Sequence, residues 1–308
     1  MKMDSRFASK ALTVEDTPEP FHEQLTAHLG PGEEPGLIIC APANVALRHK
    51  TPATVIAVTD QRWLIVSETR PGVTRVESAS FEETLFVEFT EILLYGEMRL
   101  HFALDGKAHS SAAYFNTVMD RFYREATQLV LHGIEGVGEE PGESTSTEAS
   151  LLSTLPFKFR NAVTEHVPPG RSLLCAIHWP AVIGRFRREL GPAAALTVTD
   201  REIIVITEDK RRRWFESKEG PKHASIATYL PLVRLAEHRF ISHRRFCLLE
   251  LATHAPAGGE TVQIMFPLEY EAEVRECMEH AASARNNDTR QHKNNIAAHP
   301  AGEVLLES

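Results

Sequence analysis

The feature that most constrains this chain is that it repeats itself, because self-similarity at one period sets the kind of fold before any single element is assigned. Pro20-Phe21 returns as Pro156-Phe157. Pro31-Gly32 followed by Leu37-Ile38-Ile39-Cys40-Ala41 returns as Pro169-Gly170 followed by Leu173-Leu174-Cys175-Ala176. Ala57-Val58-Thr59-Asp60-Gln61-Arg62 returns as Thr197-Val198-Thr199-Asp200-Arg201-Glu202, and the tetrads Trp63-Leu64-Ile65-Val66 and Ile203-Ile204-Val205-Ile206 follow directly. Three landmarks in one order at nearly one offset predict a tandem duplication, with loops absorbing the drift. Cys40 and Cys175 then fall in equivalent apolar strands and read as small core residues rather than nucleophiles or disulfide partners.

Each copy carries the same succession of elements. A short helix with Pro at its first turn puts Phe21, Leu25 and Leu29 on one face. A Pro-Gly turn leads into a strand through Ile39. Thr54 to Thr59 and Trp63 to Ser67 form a hairpin, in which Asp60 is expected to bond backbone amides two residues on. The fully apolar tetrads suit strands packed on both faces, or strands at a strongly bent sheet corner. Met98, Leu100, Phe102 and Leu104 alternate with Arg99, His101 and Ala103, the strand period, and Val262, Ile264 and Phe266 do the same later. A helix closes each copy. In the first, Asn116 is a cap and Phe122 is expected at the centre of a stripe made by Val118, Met119, Tyr123, Ala126, Leu129 and Val130. In the second, Pro267 opens the helix, Glu269, Glu271 and Glu273 suit its positive end, and Tyr270, Val274, Cys277, Met278 and Ala281 form the apolar face. The predicted fold class is α+β, mainly β: two units, each a bent antiparallel sheet or partial barrel of about seven strands closed by a C-terminal helix.

The remaining segments read as connectors. Residues 1–19 lack apolar periodicity and are expected to be a disordered N-terminus. Residues 20–132 form the first unit and 151–282 the second. Residues 133–150, rich in Gly, Glu, Ser and Thr, read as a flexible acidic linker, and 283–308 as a disordered tail. Charge divides at the same place. Residues 1–150 carry 12 Lys and Arg against 23 Asp and Glu, while 151–285 carry 19 against 16, within a chain of net charge −9.

A strand ending in Thr-Asp-x-Arg, an apolar strand after it, later alternating strands and a closing helix resemble bacterial pleckstrin-homology-like domains. Val58-Thr59-Asp60-Gln61-Arg62-Trp63-Leu64-Ile65 fits that pattern. Val198-Thr199-Asp200-Arg201-Glu202-Ile203-Ile204-Val205 departs from it where Glu202 replaces Arg, and Leu230-Pro231-Leu232-Val233 resembles the entry into a later strand. The resemblance implies a bent sheet or partial barrel capped by a helix. It implies a scaffold for binding and carries over no catalytic residue.

A direct search for chemistry agrees. GxGxxG, P-loop, HExxH and GxSxG patterns are missing from the sequence, so no catalytic residue and no cofactor is assigned. Fifteen histidines invite a metal reading. Their spacings argue against one: His238 and His243 are five apart, and a turn separates His101 from His109. The suggestive feature is basic. Arg185, Arg187 and Arg188 lie between the first two strands of the second unit. Lys210, Arg211, Arg212 and Arg213 follow its third strand, with Trp214 next. Arg239, Arg244 and Arg245 flank a later hairpin. Arg forks suit phosphate oxygens, so these loops are a candidate site for an anionic headgroup or phosphorylated ligand, with Trp214 at the interface. The competing reading is a solvated loop neutralised by nearby Glu and Asp.

The function expected is therefore a non-catalytic scaffold of two such modules meeting a protein partner or its own copy. Peripheral binding to an anionic membrane is the alternative, and an enzyme with an unrecognised site the third. Net negative charge argues against general nucleic-acid binding. The sequence has no apolar run long enough for a membrane span, no signal-like N-terminus and no cysteine framework, which points to a reducing cytoplasm.

Overall fold

The computed structural model describes residues 7–46, 49–92, 94–136, 146–185, 188–208 and 225–298. The protein is α+β and mainly β, built from antiparallel sheets. In the first half β1 (Ser9–Ala11), α1 (Phe21–His28) and β2 (Leu37–Ala41) come first, then a small hairpin of β3 (Asn44–Ala46) and β4 (His49–Thr51). β5 (Thr54–Val58), β6 (Arg62–Arg70) and β7 (Val73–Ser80) follow, then the meander β8 (Thr84–Ile92), β9 (Tyr95–Leu104), β10 (Lys107–Phe115) and the helix α2 (Asp120–Glu135). The second half runs α3 (Ser146–Ser153), α4 (Phe157–His166), β11 (Leu173–Trp179), the hairpin β12 (Val182–Ile183) and β13 (Glu189–Gly191), β14 (Ala194–Thr199), β15 (Glu202–Glu208) and β16 (Ser225–Pro231). It ends with β17 (Leu235–Ser242), β18 (Phe246–Ala255), β19 (Gly258–Pro267) and α5 (Glu271–Ala298).

From α1 to α2 and from α4 to α5 the elements follow the same order, β1 and α3 having no counterpart, and the hairpin registers agree. Val58 stands opposite Trp63 and Val198 opposite Ile203, so the two hairpins pair alike. The β8–β9 pair slips between Thr84 and Phe86, and the β17–β18 pair slips between Leu235 and Glu237, each 151 residues later. Register also corrects two of the sequence alignments. Val58 faces Leu37 but Val198 faces Cys175, so Cys175 takes the place of Leu37. Cys40 corresponds instead to His178, since Cys40 faces Val55 and His178 faces Ala195. The helices shift likewise. Phe21 and Leu25 are buried in α1, Phe159 and Val163 in α4, while Phe157 is 74% exposed. The Pro-Phe match is therefore two residues out of step with the buried faces.

The halves are not two separate sheets. One seven-stranded sheet runs β10-β9-β8-β16-β15-β14-β11, joining the halves where β8 pairs with β16. The first half keeps a five-stranded sheet β1-β2-β5-β6-β7, and the second a three-stranded sheet β17-β18-β19. The apolar tetrad explains the layering, since both of its faces are covered. Leu64 and Val66 meet Phe21 and Leu25 of α1, while Trp63 and Ile65 meet a core shared with Phe89, Leu100, Tyr123 and Val130. That core continues onto Ile204, Ile206 and Tyr229 of the second half. A second core packs Val198, Val205, Leu249 and Phe266 under Val274, Cys277 and Met278 of α5.

Several expectations are corrected. Residues 9–11, expected disordered, form β1 against β2, Lys10 standing opposite Ile39. α2 extends into the expected linker as far as Glu135, α3 begins at Ser146, and α5 runs on through Ala298 into the expected tail. Residues 137–145 and 299–308 of those connectors lie outside the described residues. Phe122 is half-buried; Tyr123, Ala126, Val130, Leu131 and Ile134 form the inward stripe of α2. The turn before β6 is held by Thr59, whose Oγ1 accepts from the amides of Gln61 and Arg62 at 3.1 Å, and not by Asp60. Thr199 repeats this with Arg201 and Glu202. Cys175 and Cys277, expected as separate core residues, are joined as a disulfide with Cα atoms 5.6 Å apart. Their separation of 102 residues hid the pairing; β11 and α5 bring the two apolar faces together. Among the described residues no helix is long and apolar enough to cross a membrane.

Candidate functional site

The ionisable groups that look most catalytic in isolation are engaged in joining the halves. Arg124 of α2 is central. Its Nε bonds Asp120 at 3.1 Å, and its Nη2 bonds Glu91 of β8 at 2.8 Å and Glu165 of α4 at 2.9 Å. Its guanidinium lies over the Phe89 ring, 4.9 Å from the centroid, a favourable place for a delocalised cation. His166 of α4 sits beside it, almost wholly buried, and its Nδ1 accepts from Tyr229 Oη at 2.7 Å. Burial, helped by the Arg124 charge, holds His166 neutral, with its pKa down to about 3. Burial likewise pushes the Tyr229 hydroxyl well above its ordinary value. This set pins α2 and β8 of the first half to α4 and β16 of the second.

A second contact uses His101 of β9. Its Nε2 is 3.1 Å from Glu88, and its Nδ1 is 3.0 Å from Glu260 of β19. Burial lowers the imidazole pKa, but the two carboxylates outweigh it and the net shift is upward. Arg234 adds a third, donating to the carbonyls of Thr84 at 3.0 Å and Phe81 at 2.9 Å.

The substitution noted in the hairpin motif has a structural counterpart. In the first half Arg62 bonds Glu33 through Nε at 2.9 and 3.1 Å, holding the Glu33 carboxyl down to about 2. In the second half the charges are exchanged. Glu202 stands where Arg62 does and Arg171 where Glu33 does, with Arg171 Nε 3.5 Å from Glu202. Arg171 also bonds Glu135 at 2.7 Å. Glu202 is fully buried, its carboxyl oxygens without a hydrogen-bond partner among the described residues, and desolvation, opposed by Arg171, pushes it up to about 8. Exchange of sign at two positions in contact keeps the Pro-Gly turn tied to the hairpin.

Of the residues assigned to anion binding, Arg187, Lys210, Arg211, Arg212, Arg213 and Trp214 lie outside the described residues. Arg185 and Arg188 lie in the β12–β13 hairpin, where the Gly184 amide donates to the Arg188 carbonyl at 2.7 Å. Arg239 is engaged by Glu250, opposite it on β18, at 2.8 Å. The structure brings Arg185 and Arg188 to one hairpin and gathers no larger described cluster from that set.

What stands open is strand edge. Among the described residues β17 pairs only with β18, and β7 only with β6. Ala236 to Arg239 are exposed in a row on β17, the Ala236 carbonyl accepting from Arg285 Nη1 of α5 at 3.1 Å. Beside them Arg275 of α5 lies over the Phe240 ring at 4.0 Å and bonds Glu271 at 2.6 Å. An unpaired row of backbone donors and acceptors is a template for another strand. Sequence periodicity does not reveal an edge, since strand order decides which strands have one neighbour; the Glu and Arg on β17 are the only hint. Models of known protein families give no match to this chain, and no curated protein matches it.

Proposed function

We propose that the chain is a tandem of two pleckstrin-homology-like units acting as a non-catalytic binding scaffold whose ligand is protein. The repeated element order, matched hairpin registers and matched strand slips support the tandem reading. The observation that carries the binding reading is the edge of β17 that stands open beyond Ala236, flanked by the Arg275–Phe240 stack. Addition of a strand at such an edge gives affinity through the main chain and specificity through alternate side chains. Of the basic loops behind the anionic-surface alternative, the described structure holds Arg185 and Arg188 on one hairpin and Arg244 and Arg245 at the turn of another, with Arg239 engaged by Glu250, so the strand edge is the better-supported site.

The test is a photo-crosslinking residue at position 239 of the full chain, activated in the cells that make it. Protein adducts, weaker when the same probe is placed at position 254 on β18, support a protein ligand. Recovery of lipid adducts alone, or of none, overturns it.

A further inference from the structure

We propose that the open edge of β17 takes the open edge of β7 from a second copy of this chain, in the antiparallel register that already joins β8 to β16. This rests on the tandem-scaffold reading and names its partner. The argument begins with what the first half uses to hold the second. β8 pairs with β16, Thr228 opposite Glu88 and Ala227 opposite Phe89, and the junction is packed by Phe89, Arg124 and Asp120.

That docking set recurs 151 residues later. Phe240 stands for Phe89, Arg275 for Arg124 and Glu271 for Asp120. The cation lies over the ring in both cases, and the carboxylate sits four residues before the arginine in both. What differs is cover. Arg124 is 15% exposed, beneath α4, whereas Arg275 is 50% exposed. The second half thus holds the apparatus of a junction with no next unit on it among the described residues.

The surface that would fit is also present, at the edge of the five-stranded sheet of the first half. In the first half β7 occupies the place that β16 occupies in the second, because Ser80 stands opposite Arg62 and Pro231 opposite Glu202. β16 is mostly buried in the junction, while β7 is exposed or half-exposed except at Ala79. His28, exposed at the end of α1, corresponds to His166, and Ser78 supplies a hydroxyl where Tyr229 does. Transferring the β8–β16 register puts Val76 opposite Phe240 and Glu77 opposite Arg239. The first is an apolar pair, and the second adds an ion pair between groups that keep partners within their own chain, Arg239 with Glu250 at 2.8 Å and Glu77 with Arg75 at 2.6 Å and Ser111 at 2.9 Å; both kinds of pair stabilise neighbouring strands. Glu165 and Glu91 have no acidic counterparts, Ala27 and Ser242 standing in their places, so this contact is weaker than the internal one. It is also head-to-tail: each copy offers β7 at one end and β17 at the other, which builds rings or open filaments rather than an isologous pair.

The experiment is sedimentation of the full chain from micromolar to millimolar concentration. Mass should rise with concentration and pass beyond the dimer unless a ring closes. Arg239→Glu and Glu77→Arg should each weaken association about tenfold, since each sets like charges opposite one another. An equimolar mixture of the two variants should recover it, because each then meets its complement. Local damage to either strand would not recover on mixing. As a second measurement, Thr74→Cys and Ser242→Cys on separate chains, both carrying Cys247→Ser to remove the thiol that lies 3.8 Å from Ser242 Oγ, should form a mixed disulfide on oxidation, being opposite in the transferred register. A monomer at all concentrations, association indifferent to both reversals, or variants that do not rescue one another would each overturn the self-docking. A monomeric chain that still crosslinks a different protein at position 239 would overturn self-docking alone; no protein adduct there would overturn the scaffold reading as well.

Discussion

His166 gives the sharpest test of the packing between the halves. It is almost wholly buried, accepts a hydrogen bond from Tyr229 and faces Arg124, so protonation in place would bury a second cation beside the first. Its pKa falls from 6.5 to about 3 on folding. A base with a depressed folded pKa is neutral in the folded chain but takes up a proton in the unfolded chain below pH 6.5. The stability it confers is therefore complete above that pH and is lost progressively down to about pH 3. At 1.36 kcal/mol per unit the whole loss is about 5 kcal/mol, an upper figure, of which about 2 kcal/mol has gone by pH 5. The perturbation is His166→Asn, which keeps an acceptor for Tyr229 and removes the titration. Urea unfolding of both proteins at pH 7.5 and pH 5.0 isolates the effect, because every other titrating group is common to both. The variant is expected to be less stable at pH 7.5, but to lose about 2 kcal/mol less than the parent on acidification. If both lose the same amount within about 0.5 kcal/mol, His166 is not held neutral by burial and the reasoning fails.

Three further outcomes follow from other residues. Glu202 has its pKa raised from 4.5 to about 8, so its contribution is complete below pH 4.5 and is lost as pH rises to about 8; Glu202→Gln should flatten the fall in urea midpoint between pH 5 and pH 8, and an unchanged slope would show the carboxyl to be ionised and satisfied. The two buried indoles differ, since Trp63 Nε1 donates to Thr84 Oγ1 at 2.9 Å while Trp179 Nε1 has no partner among the described residues; Trp63→Phe should cost about 1–3 kcal/mol more than Trp179→Phe by thermal melting, and equal costs would refute the assignment. Gly133 lies inside α2, where alanine ordinarily gains about 1 kcal/mol, but a Cβ there would meet the Phe81 ring at 2.3 Å; Gly133→Ala should lower the melting temperature, and a rise would mean Phe81 moves aside freely.

Local chemistry and periodicity determined a good deal. The turns at Thr59 and Thr199 lie where the motif places them, although the threonine hydroxyls hold them rather than the expected Asp60. The apolar tetrads had to be covered on both faces, and α5 had to bury Val274, Cys277 and Met278, because alternating or helical spacing commits those side chains to one side. The split in charge at the linker was equally visible. Fine alignment of the repeat was not. A two-residue slip moves the Pro-Phe match off the buried face, and only paired backbones fix the register that sets Cys175 against Leu37 rather than Cys40. Tertiary structure also decided what depends on distant elements meeting. The Cys175–Cys277 bond, the enclosure of His166 and the exchange of charge between Glu33–Arg62 and Arg171–Glu202 all join positions whose nearness comes from packing rather than spacing. The open edge belongs to this group. β8 and β17 carry matching residues at matching positions, yet β8 is covered and β17 is open, because the chain holds a following unit for the one and none that is described for the other.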